Sequence, residues 1–152
     1  MRTIRHTLFV SLSLALAACG TGPSAPADAA DGMNVQFAIT REVQGPAAEG
    51  ILPFTPQVTI GRNQIDIFGH IRTPNPCSPL SSKVRESGST ISFIVTAEHG
   101  ASAICAQVIT VRDYSAAIKN VKSGTYTLRV VHEFAELQRE PDVVYEKQIV
   151  VP

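Results

Sequence analysis

Apolar and polar residues alternate one by one through most of the chain. Val35, Phe37 and Ile39 alternate with Gln36, Ala38 and Thr40. Ile65, Ile67, Gly69 and Ile71 share one parity; Gln64, Asp66, Phe68, His70 and Arg72 share the other. The pattern returns with Ile91, Phe93, Val95 and Ala97 against Thr90, Ser92, Ile94 and Thr96. It returns again with Tyr114, Ala116 and Ile118 against Ser115, Ala117 and Lys119, and with Tyr126, Leu128, Val130, His132 and Phe134 on one parity. A period of two is the mark of a strand with one buried face. Residues 58–60, 80–86 and 143–151 add shorter or weaker strands, and no segment carries a convincing helical period. The breaks between runs are turn residues: Gly61-Arg62-Asn63, Ser87-Gly88-Ser89 and Ser123-Gly124. Gly45-Pro46, Gly50, Pro53 and Pro56 mark 45–56 as a long loop. Seven to nine short strands at roughly 8–15-residue spacing predict an all-β antiparallel sandwich.

The N-terminus is of another kind. Arg2 and Arg5 precede an uncharged apolar run over 8–16, and then come Leu16-Ala17-Ala18-Cys19 and Gly20. Basic, apolar and small residues in that order make a secretory signal, and the run is short of the about 20 apolar residues that a spanning helix needs. Leu16-Ala17-Ala18-Cys19 resembles the lipobox of bacterial lipoproteins. That resemblance implies cleavage before Cys19, a diacylglyceryl group on its sulfur and an acyl chain on its amine. Each buried methylene contributes about 0.8 kcal/mol, so three chains would anchor the protein where one would not. Gly20, in place of the aspartate that favours inner-membrane retention in that family, leans the expectation to the outer membrane of a cell that has one. The chain then divides into a signal peptide (1–18), a lipidated cysteine and flexible linker (19–33), and a β-sandwich (34–152). The linker is small, proline-containing and poor in apolar residues, a spacer that cannot bury a core.

Cleavage removes Arg2 and Arg5 and no acidic residue, so the 13 basic residues fall to 11 against 13 acidic ones. A mature chain near −2, with no run of like charge, argues against a nucleic-acid surface. Two further cysteines remain, Cys77 and Cys105. In an exported domain the expectation is a disulfide, closing a loop of about 29 residues for roughly 3–4 kcal/mol on the chain-entropy argument. The alternative, a metal or redox site, lacks the Cys-x-x-Cys spacing that tunes a reactive thiol.

Lys122-Ser123-Gly124-Thr125-Tyr126-Thr127-Leu128-Arg129-Val130 resembles the Gly-x-Tyr-x-Leu-x-Val run of a late strand in immunoglobulin-like and prealbumin-like bacterial domains. The resemblance implies an immunoglobulin-like sandwich, with the tyrosine at a sheet corner and the Leu and Val in the core. It covers about nine residues and speaks to fold, not to function. The tryptophan of antibody domains is missing, and Cys77 stands in a proline-rich segment rather than a strand.

Candidate chemistry is sparse. No Gly-x-Ser-x-Gly elbow, phosphate-cradling glycine loop or His-Glu-x-x-His helix is present, so an enzyme is not expected, nor a cofactor. His70, His99 and His132 lie on three separate segments, none with a second ligand at short spacing. His70 shares its strand face with Asp66 and Arg72 and reads as solvated; His132 occupies a core parity and reads as closing the end of the core. Two regions are candidates for recognition. Pro74, Asn75, Pro76, Ser78 and Pro79 make a loop stiffened by proline and pinned by Cys77, which loses little entropy on binding; the same prolines can simply end a strand and guard a sheet edge. Phe68 and Ile94, both on outward parities, make an exposed apolar patch or lie beneath the 45–56 loop. The expectation is a lipid-anchored envelope module, its partners being membrane lipid through acylated Cys19 and an envelope protein or glycan. The other readings are an accessory or inhibitor lipoprotein acting on an envelope enzyme through a loop, and an exported metal-binding protein.

Overall fold

The computed structural model describes residues 32–100, 104–135 and 140–152. The predicted signal, Cys19 and nearly all of the linker lie outside the described residues. Eight strands run in chain order: β1 (Asn34–Gln44), β2 (Gln57–Gly61), β3 (Gln64–Thr73), β4 (Leu80–Ser87), β5 (Thr90–Ala97), β6 (Thr110–Lys119), β7 (Gly124–Phe134) and β8 (Asp142–Val151). One short helix, α1 (Pro46–Glu49), stands inside the predicted 45–56 loop. Four strands form one sheet in the order β1-β6-β3-β2, and four form the other in the order β4-β5-β7-β8. The all-β sandwich expected from the alternation is therefore the observed fold.

Pairing is antiparallel everywhere except between β5 and β7, which run parallel. The chain leaves β5 for the opposite sheet, runs back along β6, and returns as β7 in its starting direction. Two reversals make β7 parallel to β5, so this sheet is mixed.

The parities define the core. Ile65, Ile67 and Ile71 of β3 and Tyr114, Ala116 and Ile118 of β6 face Ile91, Phe93 and Val95 of β5 and Leu128 and Val130 of β7, all of them buried. Phe37, Phe93 and Tyr114 meet as an aromatic cluster with ring centroids 5.7–6.4 Å apart. Gly69 is the residue that Tyr114 packs over: a Cβ there would fall 2.5 Å from the phenol oxygen. The Tyr126 hydroxyl, near the start of β7, donates to the Lys122 carbonyl at 3.1 Å. The β2–β3 turn is set by Asn63 at φ 56°, whose side chain donates to the Val121 carbonyl at 2.9 Å.

Three expectations need correction. Ile39, on the core parity of β1, is 47% exposed, because the register of β1 on β6 shifts between Ile39 and Arg41 at the edge of its sheet. Ile94, on the outward parity of β5, is buried. It is central in its sheet, level with Lys83 and Val131, and it shares a depression with Pro141 and Val143. Phe68 belongs to the other sheet, so Phe68 and Ile94 form no common patch. Phe68 itself is 39% exposed, with Phe54 of the 45–56 loop stacked beside it at 6.1 Å.

Candidate functional site

The disulfide between Cys77 and Cys105 is present, with Cα atoms 6.1 Å apart. It holds the proline-rich segment against the apolar run before β6. That segment is fixed from within as well. Thr73 donates to the Asn75 carbonyl at 2.7 Å. The Asn75 side-chain oxygen accepts from the Cys77 amide at 3.0 Å and from the Ser78 hydroxyl at 3.1 Å. Asn75 and Ser78 are buried, and only Pro74 and Pro79 of the five candidate residues are exposed.

Arg112 organises this end of the sandwich. It continues the core parity of β6 and is 4% exposed. Its guanidinium donates to the Pro76 and Ser78 carbonyls, the latter at 3.0 Å, and to Glu42 at 2.6 Å. The shift at Thr40 puts Glu42 level with Arg112. The hydrogen bond from Arg112 holds the Glu42 carboxyl below its ordinary value, against the opposing effect of its own desolvation. The polar groups of the loop are thus engaged in tying the loop down. The alternation that reveals β6 carries no sign that one arginine on the core side is a clamp.

A second concavity opens where β3 runs beyond β2. β2 pairs only with Gln64–Phe68, and the 45–56 loop covers the part of β3 beyond that pairing. A cleft of about 280 Å³ is lined there by Phe54, His70, Arg72, His132, Phe134 and Asp142, among others. His70 is half-buried rather than solvated, with Phe54 edge-on at 4.4 Å. Desolvation pushes its imidazole below the ordinary value, the charge of Asp113 opposes this, and Arg72 adds to it. His132 closes the end of the core as expected, its Nε2 3.0 Å from the Tyr114 hydroxyl. Burial raises the Tyr114 phenol well above its usual value, so the phenol stays protonated. Among the described residues, no three His, Cys, Asp or Glu side chains gather as a metal site would need.

A third concavity lies on the outer face of the β1-β6-β3-β2 sheet, a trough of about 470 Å³. Its rows are set by the register: Gln36, Ala117, Asp66 and Thr59 stand side by side across the four strands, and next to them Ala38, Ser115, Phe68 and Gln57. Ser115 and Ala117 of β6 and Ala38 of β1 are short, while Gln36, Gln57, Thr59, Asp66 and Phe68 around them are longer, and that difference in length makes the face concave. Gln64 donates to Asp66 at 2.7 Å, which holds the carboxylate in place. Beyond the second row stands the Arg41–Asp113 ion pair at 2.9 Å, and Phe54 stacks on Phe68. Of these residues, sequence reasoning singled out only Phe68. The available signal was the smallness of Ala38, Ser115 and Ala117, outward positions where strands usually carry charge.

The other sheet's outer face differs. Arg85, Ser92, Arg129 and Glu146 form one row, with Arg129 3.1 Å from Glu146, and Ile94, Val131 and Val143 form the next. Lys83 and Thr96 both reach Glu133, at 3.3 and 3.2 Å.

Fold and faces together define a small disulfide-braced β-sandwich with one concave polar face. Residues 70–138 match the family model of the ORF11 beta-sandwich domain, a stretch from within β3 to just past β7. No curated protein and no solved structure matches the chain.

Proposed function

We propose that this chain is a lipid-anchored envelope module that recognises a ligand through the outer face of its β1-β6-β3-β2 sheet. The trough on that face carries the proposal. It combines the hydrogen-bonding side chains of Gln36, Gln57 and Thr59 with an exposed aromatic ring, and it lies away from the clamped end of the sandwich. The proline-rich loop is the weaker recognition candidate, because its polar groups are spent on Arg112, Cys77 and one another. Anchoring is supported by Leu16-Ala17-Ala18-Cys19, with the linker leaving the sandwich free to turn toward its ligand. The two halves are tested separately. Cys19→Ala should abolish incorporation of labelled palmitate and shift the protein out of the detergent phase; equal labelling of the variant contradicts the anchor. A photo-reactive amino acid at Gln57 should crosslink in intact cells, whereas the same group at Arg85, on the opposite sheet, should not. Equal yields from both positions contradict the assigned face.

A further inference from the structure

We infer that the ligand of this face is an uncharged glycan chain, an inference that rests on the binding role proposed for the trough. The groups that stand there are the ones that read sugars. A hydroxyl both donates and accepts, and so does a carboxamide; Gln36 and Gln57 stand at opposite sides of the trough, with the Thr59 and Ser115 hydroxyls also lining it. A pyranose ring has one face of C–H groups, and such a face packs on an aromatic ring. Phe68 offers that ring, 39% exposed at the trough, with Phe54 stacked beside it. The span suits several units: four strands at about 4.8 Å spacing make a trough of about 14 Å, room for two or three sugar rings. Charge disfavours the alternatives. Among the described residues the lining holds one charge, the Asp66 carboxylate, with Lys119 and the Asp113-paired Arg41 only in the rows beyond either end, so a phosphate, sulfate or acidic chain would meet an anion on the floor itself. A peptide would need apolar pockets for its side chains, and Ala38, Ser115 and Ala117 provide a flat floor instead.

The test uses the full acylated chain in detergent micelles. The probes are neutral β-1,4-linked oligomers of glucose and of N-acetylglucosamine, about four to six units long so as to overfill the span, with a sulfated oligomer beside them. Calorimetric titration should show at least one neutral oligomer binding and the sulfated one binding roughly tenfold or more weakly, a difference of about 1.4 kcal/mol. Phe68→Ala and Gln36→Ala should each weaken the neutral oligomer, and Ala117→Arg, which fills the floor, should abolish its binding. Arg85→Ala on the other sheet should leave it unchanged. Phe68 and Gln36 are surface positions, so their variants keep the test alive if Ala117→Arg fails to fold. Absence of binding by every neutral oligomer, equal binding of the sulfated one, or indifference to the Phe68 and Gln36 variants overturns the glycan. If the Gln57 crosslinker meanwhile captures a protein in cells, the face stands and the glycan falls; if it captures nothing and no oligomer binds, both fall.

Discussion

Arg112 shows how one side chain can convert a candidate recognition loop into a structural one. Its charge is buried, and the groups that compensate it are contributed by β1 and by the backbone of the proline-rich loop. Removing a buried member of an ion pair is costly because its partners lose their donors, and hydrogen bonds to charged groups contribute about 1.5–3 kcal/mol each. Glu42 keeps partial access to water and can resolvate, which moderates the loss. Arg112→Ala should therefore destabilise by about 2–4 kcal/mol in a urea melt, with the loop rather than the core becoming protease-sensitive first. The pH dependence has a definite sign. Glu42 is held below its ordinary value in the folded state, so its contribution is full above about pH 4.5 and is lost as the pH falls through the lower folded-state value. Glu42→Gln should flatten the acid limb of the stability curve below about pH 4.5, a change readable by thermal melts; an unchanged acid limb would contradict the clamp. None of this was legible in the sequence, where Arg112 is one outlier in an apolar parity and Glu42 lies 70 residues away.

At the scale of elements, alternation guided the core faces well, failed at Ile39, Ile94 and Val131, and was a poor guide to neighbours. The core parities of β3, β5, β6 and β7 were readable because each of these strands turns one side to the core. They say nothing of which sheet a strand joins. Phe68 and Ile94 look equivalent in sequence, yet one is at the lip of a concave face and the other is buried on the opposite sheet. The parallel pairing of β5 with β7 was equally hidden, since it arises from the excursion of β6 between sheets. The α1 turn is too short to show a period. The readable part yields a sharp contrast on β7. Leu128 is fully buried, so Leu128→Ala should cost about 2–5 kcal/mol through lost burial and a cavity. Thr127→Ala, on the opposite parity, should stay within about 0.5 kcal/mol, and Arg129→Ala, which loses an exposed ion pair with Glu146, within about 1 kcal/mol. Urea melts of the three decide it, and an Arg129 variant as damaging as the Leu128 one would reverse the face assignment. The disulfide belongs to this scale as well. It joins the loop after β3 to the segment before β6 across a separation of 28 residues, and Cys77→Ser with Cys105→Ser should cost about 2–5 kcal/mol. Two thiols alkylated in the native protein without denaturant would contradict the bridge.

At the scale of the whole molecule, the ends and faces of the sandwich divide the work. One end is locked by Arg112 and the disulfide; the β4-β5-β7-β8 outer face carries paired charges and the Ile94 row around a depression; the β1-β6-β3-β2 face is concave and polar with little charge in its lining. Rigidity behind that face suits recognition, because a preformed surface loses little entropy on binding. Composition and charge had already argued against a nucleic-acid surface, but the face itself appears only when β1, β6, β3 and β2 are set side by side, since its rows draw on residues from 36 to 117. Hydrogen exchange of the full chain, with and without purified envelope polysaccharide, tests the assignment most directly. The account predicts slowed exchange in β2 and in the adjoining halves of β1 and β3, with β4, β8 and residues 74–79 unchanged; protection at 74–79 or along β4 and β8, with the β1-β6-β3-β2 face unaltered, would contradict it.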